Sequence, residues 1–260
     1  YEIGLTTYVP PYGQAFQDLL QDASASKLYQ FDPQAVLVAE QAEDLFGDLY
    51  WDPLAVPPDQ QVQALEERLA PLIRLLLLAR ERIAGPIFVL RIAVLHRSTL
   101  GQADAVTTGG LGTLVAIAND LLAQQAAKLS DVHLVDMARV IAEVGSEAGM
   151  PRKYWHLGRI PFGNPLARQI AKRVLGGMLA LSGKTARLLI LDLDNTLWGG
   201  VLGEDGLQGL KLGGGSPGSA FKDFQRVLKA LSRRGIALAV CSKNDADLAW
   251  KMIDEHPEMV

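Results

Sequence analysis

Residues 188–200 read Leu-Leu-Ile-Leu-Asp-Leu-Asp-Asn-Thr-Leu-Trp-Gly-Gly, and this stretch decides how the chain is read. An apolar run stops at two carboxylates, Asp192 and Asp194, two positions apart. Thr196 follows, then Gly199 and Gly200. The run predicts a buried strand over 187–193, and the glycines predict a loop beyond it. A buried carboxylate without a partner is costly or changes its protonation state. An acidic pair at a strand tip therefore implies a use. Strand tips are where open α/β sheets place ligands.

Beyond the acidic pair, residues 194–218 are rich in glycine and read as loop, with 213–218 the locally biased part. An amphipathic helix is expected over 219–234, a strand over 236–241 and a helix over 245–255. This β-loop-α-β-α order is one crossover plus a helix, too little to close a sheet domain alone. Upstream, strands are expected at 35–42, 87–95 and 132–135. Helices are expected at 58–84, from Gly109-Gly110-Leu111-Gly112 to about 129, at 137–148 and at 165–181. Strand and helix alternate, which predicts parallel α/β architecture. Ser182-Gly183-Lys184-Thr185 is the break, so the expected domains are 1–183 and 184–260. The chain begins at Tyr1 and ends at Val260 without a closing element, and it reads as part of a longer protein.

Hydrophobic residues make up 49% and charged residues 21%, which places the chain among globular proteins. A net charge of -4 argues against nucleic acid as a partner, since such proteins usually carry a basic stripe. No apolar run reaches the roughly 18 residues that span a membrane. The single cysteine, Cys241, excludes an intrachain disulfide and is compatible with a cytoplasmic location.

The chemistry that an Asp-x-Asp-x-Thr tip suggests is phosphoryl transfer. Asp192 can attack phosphorus, and Asp194 can protonate a leaving oxygen and then activate water. Mg2+ held by Asp192 and Asp194 would offset the repulsion between carboxylate and phosphate. Ser242, on the neighbouring strand tip, can hold phosphate oxygens, with Lys243 beside it as a charge partner. Asn195 and Thr196 are further candidates for phosphate or substrate contact. Plainer readings stand beside these. Ser242 could cap the helix at 245–255, although Asp245 competes for that role. Cys241 could be a packed strand residue. Gly109–Gly112 could cradle a phosphate or simply open a helix. His96, His133, His156 and His256 form no catalytic constellation readable from their spacing.

Asp192-Leu193-Asp194-Asn195-Thr196 resembles motif I of the haloacid dehalogenase (HAD) superfamily, and Ser242 resembles its motif II. The longer stretch from Leu191 to Gly206 is similar to the FkbH-like group, a HAD branch associated with polyketide biosynthesis. So are Phe224-Gln225, Cys241-Ser242-Lys243-Asn244-Asp245 and His256-Pro257-Glu258-Met259, and upstream Tyr154-Trp155 and Arg159-Ile160-Pro161-Phe162. The resemblance extends over about residues 8–260 and is strongest after 154. It implies an SGNH-hydrolase-like N-terminal domain followed by the first part of a HAD-like Rossmannoid domain. The implied activity takes 1,3-bisphosphoglycerate, removes phosphate and loads the glyceryl unit onto the phosphopantetheine thiol of an acyl carrier protein. Asp192 is then the nucleophile, Asp194 the acid/base and magnesium-side residue, and Ser242 the phosphate anchor. Cys241 would carry the acyl group as a thioester. The resemblance also implies a lysine and an acidic pair beyond Val260, and no SGNH-type Gly-Asp-Ser motif is present.

Overall fold

The computed structural model describes residues 4–11, 13–22, 24–94 and 98–260. The chain divides into two compact units, Tyr1–Ser182 and Gly183–Val260.

In the first unit Val36–Val38 (β1), Ile87–Leu90 (β2) and Val132–Val135 (β3) form a parallel sheet in that order. Central β2 is buried at all four positions, as a strand covered on both faces must be. Its alternation sorts the core into two clusters. Ile87 and Val89 pack with Leu65, Leu69, Leu76, Leu114 and Leu122 of the helices Gln61–Arg82 and Leu111–Ala126. Phe88 and Leu90 pack on the other side, with Val140, Trp155, Leu166 and Ile170. A Cβ on Gly177 would stand 2.6 Å from the Phe88 ring, so the absence of a side chain lets the helix Asn164–Leu181 lie close on the sheet.

β3 has the bounds the sequence predicts, whereas β1 and β2 are shorter. After Val38 pairs with Val89 the chain turns into the helix Ala42–Phe46, whose Ala42 and Phe46 are fully buried. Past Leu90 the Arg91 N–H still donates to the Val135 carbonyl at 3.0 Å, and the next residue meets a side chain instead of a strand. Asn119 is buried, its Oδ1 accepts from the Ile92 N–H and its Nδ2 donates to the Ile92 carbonyl, both at 2.9 Å. Leu95, the end of the expected strand, and His96 lie outside the described residues. The helix expected over 137–148 breaks at Gly145 (φ +86°) into Met137–Val144 and Ser146–Gly149.

In the second unit Leu188–Leu191 (β4) and Ala237–Val240 (β5) form a two-stranded parallel sheet. The connection runs through the helix Gly218–Arg233, and Ala246–Glu255 follows β5. The core gathers Leu191, Leu193, Leu197, Trp198, Leu202, Leu228 and Met252. Much of the sheet's own apolar surface is open: Ile190 is 63% and Val240 46% exposed. Residues 194–218 correct the loop reading, because Leu202–Gly209 is helical apart from Gly206. Three glycines hide this helix in the sequence; burial of Leu202, 1% exposed, fixes its first turn. Among the described residues no helix is long and apolar enough to cross a membrane.

Candidate active site

Two parallel strand tips meet in the second unit. The last paired residues are Leu191 and Val240. The Cys241 N–H donates to the Leu191 carbonyl at 2.8 Å. Asp192 and Cys241 are therefore the first residues past the sheet on adjacent strands, and both are exposed. One oxygen of Asp192 accepts from the Leu193 N–H at 2.8 Å.

Asp194 is held far more firmly. Its Oδ1 accepts from the Trp198 indole at 3.1 Å and from the Leu202 N–H at 3.0 Å. Its Oδ2 accepts from the Asn244 amide at 2.9 Å. Trp198 is fully buried among Leu193, Leu197 and Leu202, so its N–H has little freedom to leave. Burial alone would push the Asp194 carboxyl up. The bonds from Leu202, Asn244 and Trp198 outweigh it and hold the group below the ordinary carboxylate range.

The turn after β4 brings these donors round. The N–H groups of Thr196 and Leu197 both donate to the Leu193 carbonyl, at 3.1 and 2.8 Å. Asn195 adopts a left-handed φ of +55°, which asparagine tolerates better than most residues. Its Oδ1 accepts from the Gly200 N–H at 3.0 Å, so the amide closes the turn. Gly200 (φ +108°) leaves room for Asp205, whose Oδ2 accepts from the Val201 N–H at 2.8 Å. Gly199 and Lys211 then bond reciprocally across an antiparallel bridge. Gln225, on the helix Gly218–Arg233, donates to the Leu197 carbonyl at 2.7 Å and braces the turn from behind.

Ser242 lies beside this cluster. Its Oγ accepts from the Asn244 N–H at 3.2 Å and from the Asn244 side-chain amide at 3.1 Å. Asp245 caps the helix Ala246–Glu255, accepting from Asp247 and Leu248, so Ser242 is not the cap. The fold thus brings Asp192, Asp194, Cys241 and Ser242 to one end of the sheet. Thr196 is half-buried in the turn, and Lys243 is exposed next to Ser242. Asn244 is the residue that reasoning from sequence passed over, although it stands two positions after Ser242. Its role depends on a partner fifty positions away.

Three further features of the sequence find their partners. The Gly109–Gly112 turn opens the helix Leu111–Ala126, and the Asp104 carboxylate already fills its N-terminus. Asp104 accepts from Leu111 at 2.7 Å, Gly112 at 2.9 Å and the Ser98 hydroxyl at 2.7 Å. His133 pairs with exposed Asp131 at 2.8 Å, and His256 accepts from the Glu258 N–H at 3.2 Å. Among the described residues no group of three or more His, Cys, Asp or Glu could hold a metal ion.

No family model and no curated protein matches the chain. A solved structure does: the N-terminal part of the protein BF1531 from Bacteroides fragilis, which contains a phosphatase domain and is complexed with Mg. It superposes with a TM-score of 0.79 at 27% sequence identity, covering 96% of this chain and 64% of that one. The chain thus spans under two thirds of that neighbour's length, and the two share a mixed α/β fold with parallel strands.

Proposed function

We propose that the second unit carries the phosphoryl-transfer site of a Mg2+-dependent phosphatase of the HAD type. The observation that carries this reading is the pairing of an exposed carboxylate at the tip of β4 with an engaged one two residues later. The first is free to react; the second is fixed in orientation. The likeness to a Mg-complexed phosphatase-containing protein supports it.

The residues fit magnesium. Mg2+ prefers hard oxygen ligands, retains several waters and is commonly held by one or two carboxylates plus a substrate phosphate. Asp192 offers the open oxygen. Asp194, whose two oxygens already accept three bonds, offers the lesser share. When bound, the ion would neutralise charge between the carboxylate and the phosphoryl group.

The chain's own residues then divide the work. An Asp192 oxygen attacks phosphorus and the bond to the leaving oxygen breaks, giving an aspartyl phosphate. The departing oxygen takes its proton from Asp194 in its minor, protonated form, since the three donors favour the ionised one. In the second half the ionised form of Asp194, favoured by its three donors, takes a proton from the water that attacks the aspartyl phosphate. The Ser242 hydroxyl holds a phosphate oxygen throughout.

Our finer reading is FkbH-like. Cys241 is exposed and level with Asp192, which favours acyl loading beside dephosphorylation. Its thiolate attacks the mixed-anhydride carbonyl of 1,3-bisphosphoglycerate, and inorganic phosphate leaves with the electron pair. The phosphopantetheine thiol of an acyl carrier protein then displaces Cys241. Asp192 removes the ester phosphate. In this reading the first unit is SGNH-hydrolase-like, and the protein acts in the cytoplasm.

Phosphate release from 1,3-bisphosphoglycerate and small phosphate esters, with and without Mg2+, tests the coarser reading. We expect release that needs Mg2+ and falls by at least about a thousandfold in Asp192→Asn. Undiminished release by that variant would refute the nucleophile. Intact mass of a carrier protein tests the finer reading. A glyceryl thioester is expected with the native protein and not with Cys241→Ala, which should still release ester phosphate. Equal loading by that variant removes the thioester.

A further inference from the structure

We propose that Asn244 is a positioning residue that makes Ser242 a one-way hydrogen-bond donor toward phosphate; this rests on the phosphatase reading. A serine hydroxyl has one proton to give and two lone pairs to receive. At Ser242 both lone pairs are taken by Asn244, through its backbone N–H at 3.2 Å and its side-chain amide at 3.1 Å. With its acceptor capacity filled, the hydroxyl can only donate. Its proton is turned away from Asn244, toward whatever acceptor enters the strand-tip site.

The orientation of the Asn244 amide is itself fixed. Nδ2 also lies 2.9 Å from Asp194 Oδ2. An ionised carboxylate can only accept, so nitrogen and not oxygen must face it. The two amide protons are thereby assigned, one to Asp194 and one to Ser242. A single side chain ties the tip of β4 to the tip of β5 and sets the polarity of the phosphate anchor. A lysine or free water in that place would lack one of the two constraints: planarity for the lysine, covalent attachment to β5 for the water.

A double-mutant cycle on inorganic phosphate binding tests this. Titration calorimetry with Mg2+ present compares native protein, Ser242→Ala, Asn244→Ala and the double variant. Each single change is expected to weaken phosphate binding about tenfold, and the double variant to be no weaker than Ser242→Ala alone. Steady-state kinetics should show the KM loss shared by Ser242→Ala and Asn244→Ala, with a kcat loss added in Asn244→Ala, where Asp194 also loses a donor. The isosteric Asn244→Asp, which preserves shape, should be worse than Asn244→Ala, because its carboxylate draws the serine proton inward. Effects that multiply in the double variant would overturn the proposal while leaving the phosphatase reading intact. A native protein that neither binds phosphate nor releases it would overturn both. Thermal midpoints of all four proteins show whether a variant has lost its fold. In that event Asn244→Ser, which keeps a donor at the position, replaces the alanine variant in the cycle.

Discussion

At the scale of single residues, Trp198 tests how far orientation of Asp194 matters. Its ring is buried packing and its N–H is one of the three donors on the carboxylate. Trp198→Phe keeps most of the packing and removes the donor. One hydrogen bond to a charged group is worth about 1.5 kcal/mol, which corresponds to roughly a tenfold loss in kcat. Phosphate-release kinetics beside a circular dichroism melt would check it; an unchanged kcat would mean that Leu202 and Asn244 hold Asp194 unaided. The acidic pair was legible in sequence because its chemistry is local: a strand ends and two carboxylates follow. Asn244 was not, since nothing within 242–245 tells that Asp194 will stand beside it. Asn195 illustrates the opposite case. A side chain suited to contacting substrate is engaged with the Gly200 N–H in closing its own turn.

At the scale of elements, the close approach of the helix Asn164–Leu181 to β2 rests on one missing side chain. Gly177→Ala would place a methyl 2.6 Å from the ring of Phe88, itself only 3% exposed. Overpacking of this kind costs about 1–3 kcal/mol, outweighing the better helix propensity of alanine. Urea unfolding should show the midpoint falling; a rise would mean that the helix can shift outward. The long helices were readable because their periodicity is sustained, and the start of β2 because the strand is buried on both faces. Short helices such as Ala42–Phe46 and Asp48–Trp51 were not, as pieces of four or five residues are set by packing rather than propensity. The strand expected at 35–42 is longer than β1, which ends after Val38: Glu40 and Gln41 interrupt the apolar run, and the chain turns into the helix Ala42–Phe46.

At the scale of the molecule, stability should depend on acid in a predictable sense. Asp18 accepts from Tyr8 at 2.7 Å, Ser26 at 2.9 Å and the Lys27 N–H at 3.1 Å. Burial would raise its pKa, and likewise that of Asp104. For both, hydrogen bonds outweigh burial and leave the folded value below the ordinary one. A group depressed on folding stabilises the protein above its unfolded pKa, about 3.9, and loses that contribution as pH falls through the folded value. Thermal midpoints should therefore hold near neutrality and drop below about pH 4. Asp104→Asn should lower the midpoint at pH 7 yet fall less steeply in acid; an unaltered acid slope would exclude Asp104 from the effect.

Cys241 carries a practical consequence. It is the single cysteine of the chain and it is exposed, level with Asp192 at the strand tip. A maleimide fluorophore or a nitroxide spin label would attach there and nowhere else, with no cysteine having to be engineered in or out. Spectroscopy of the site thus comes with its own attachment point. The same accessibility makes storage without a reductant a direct chemical insult to the candidate site.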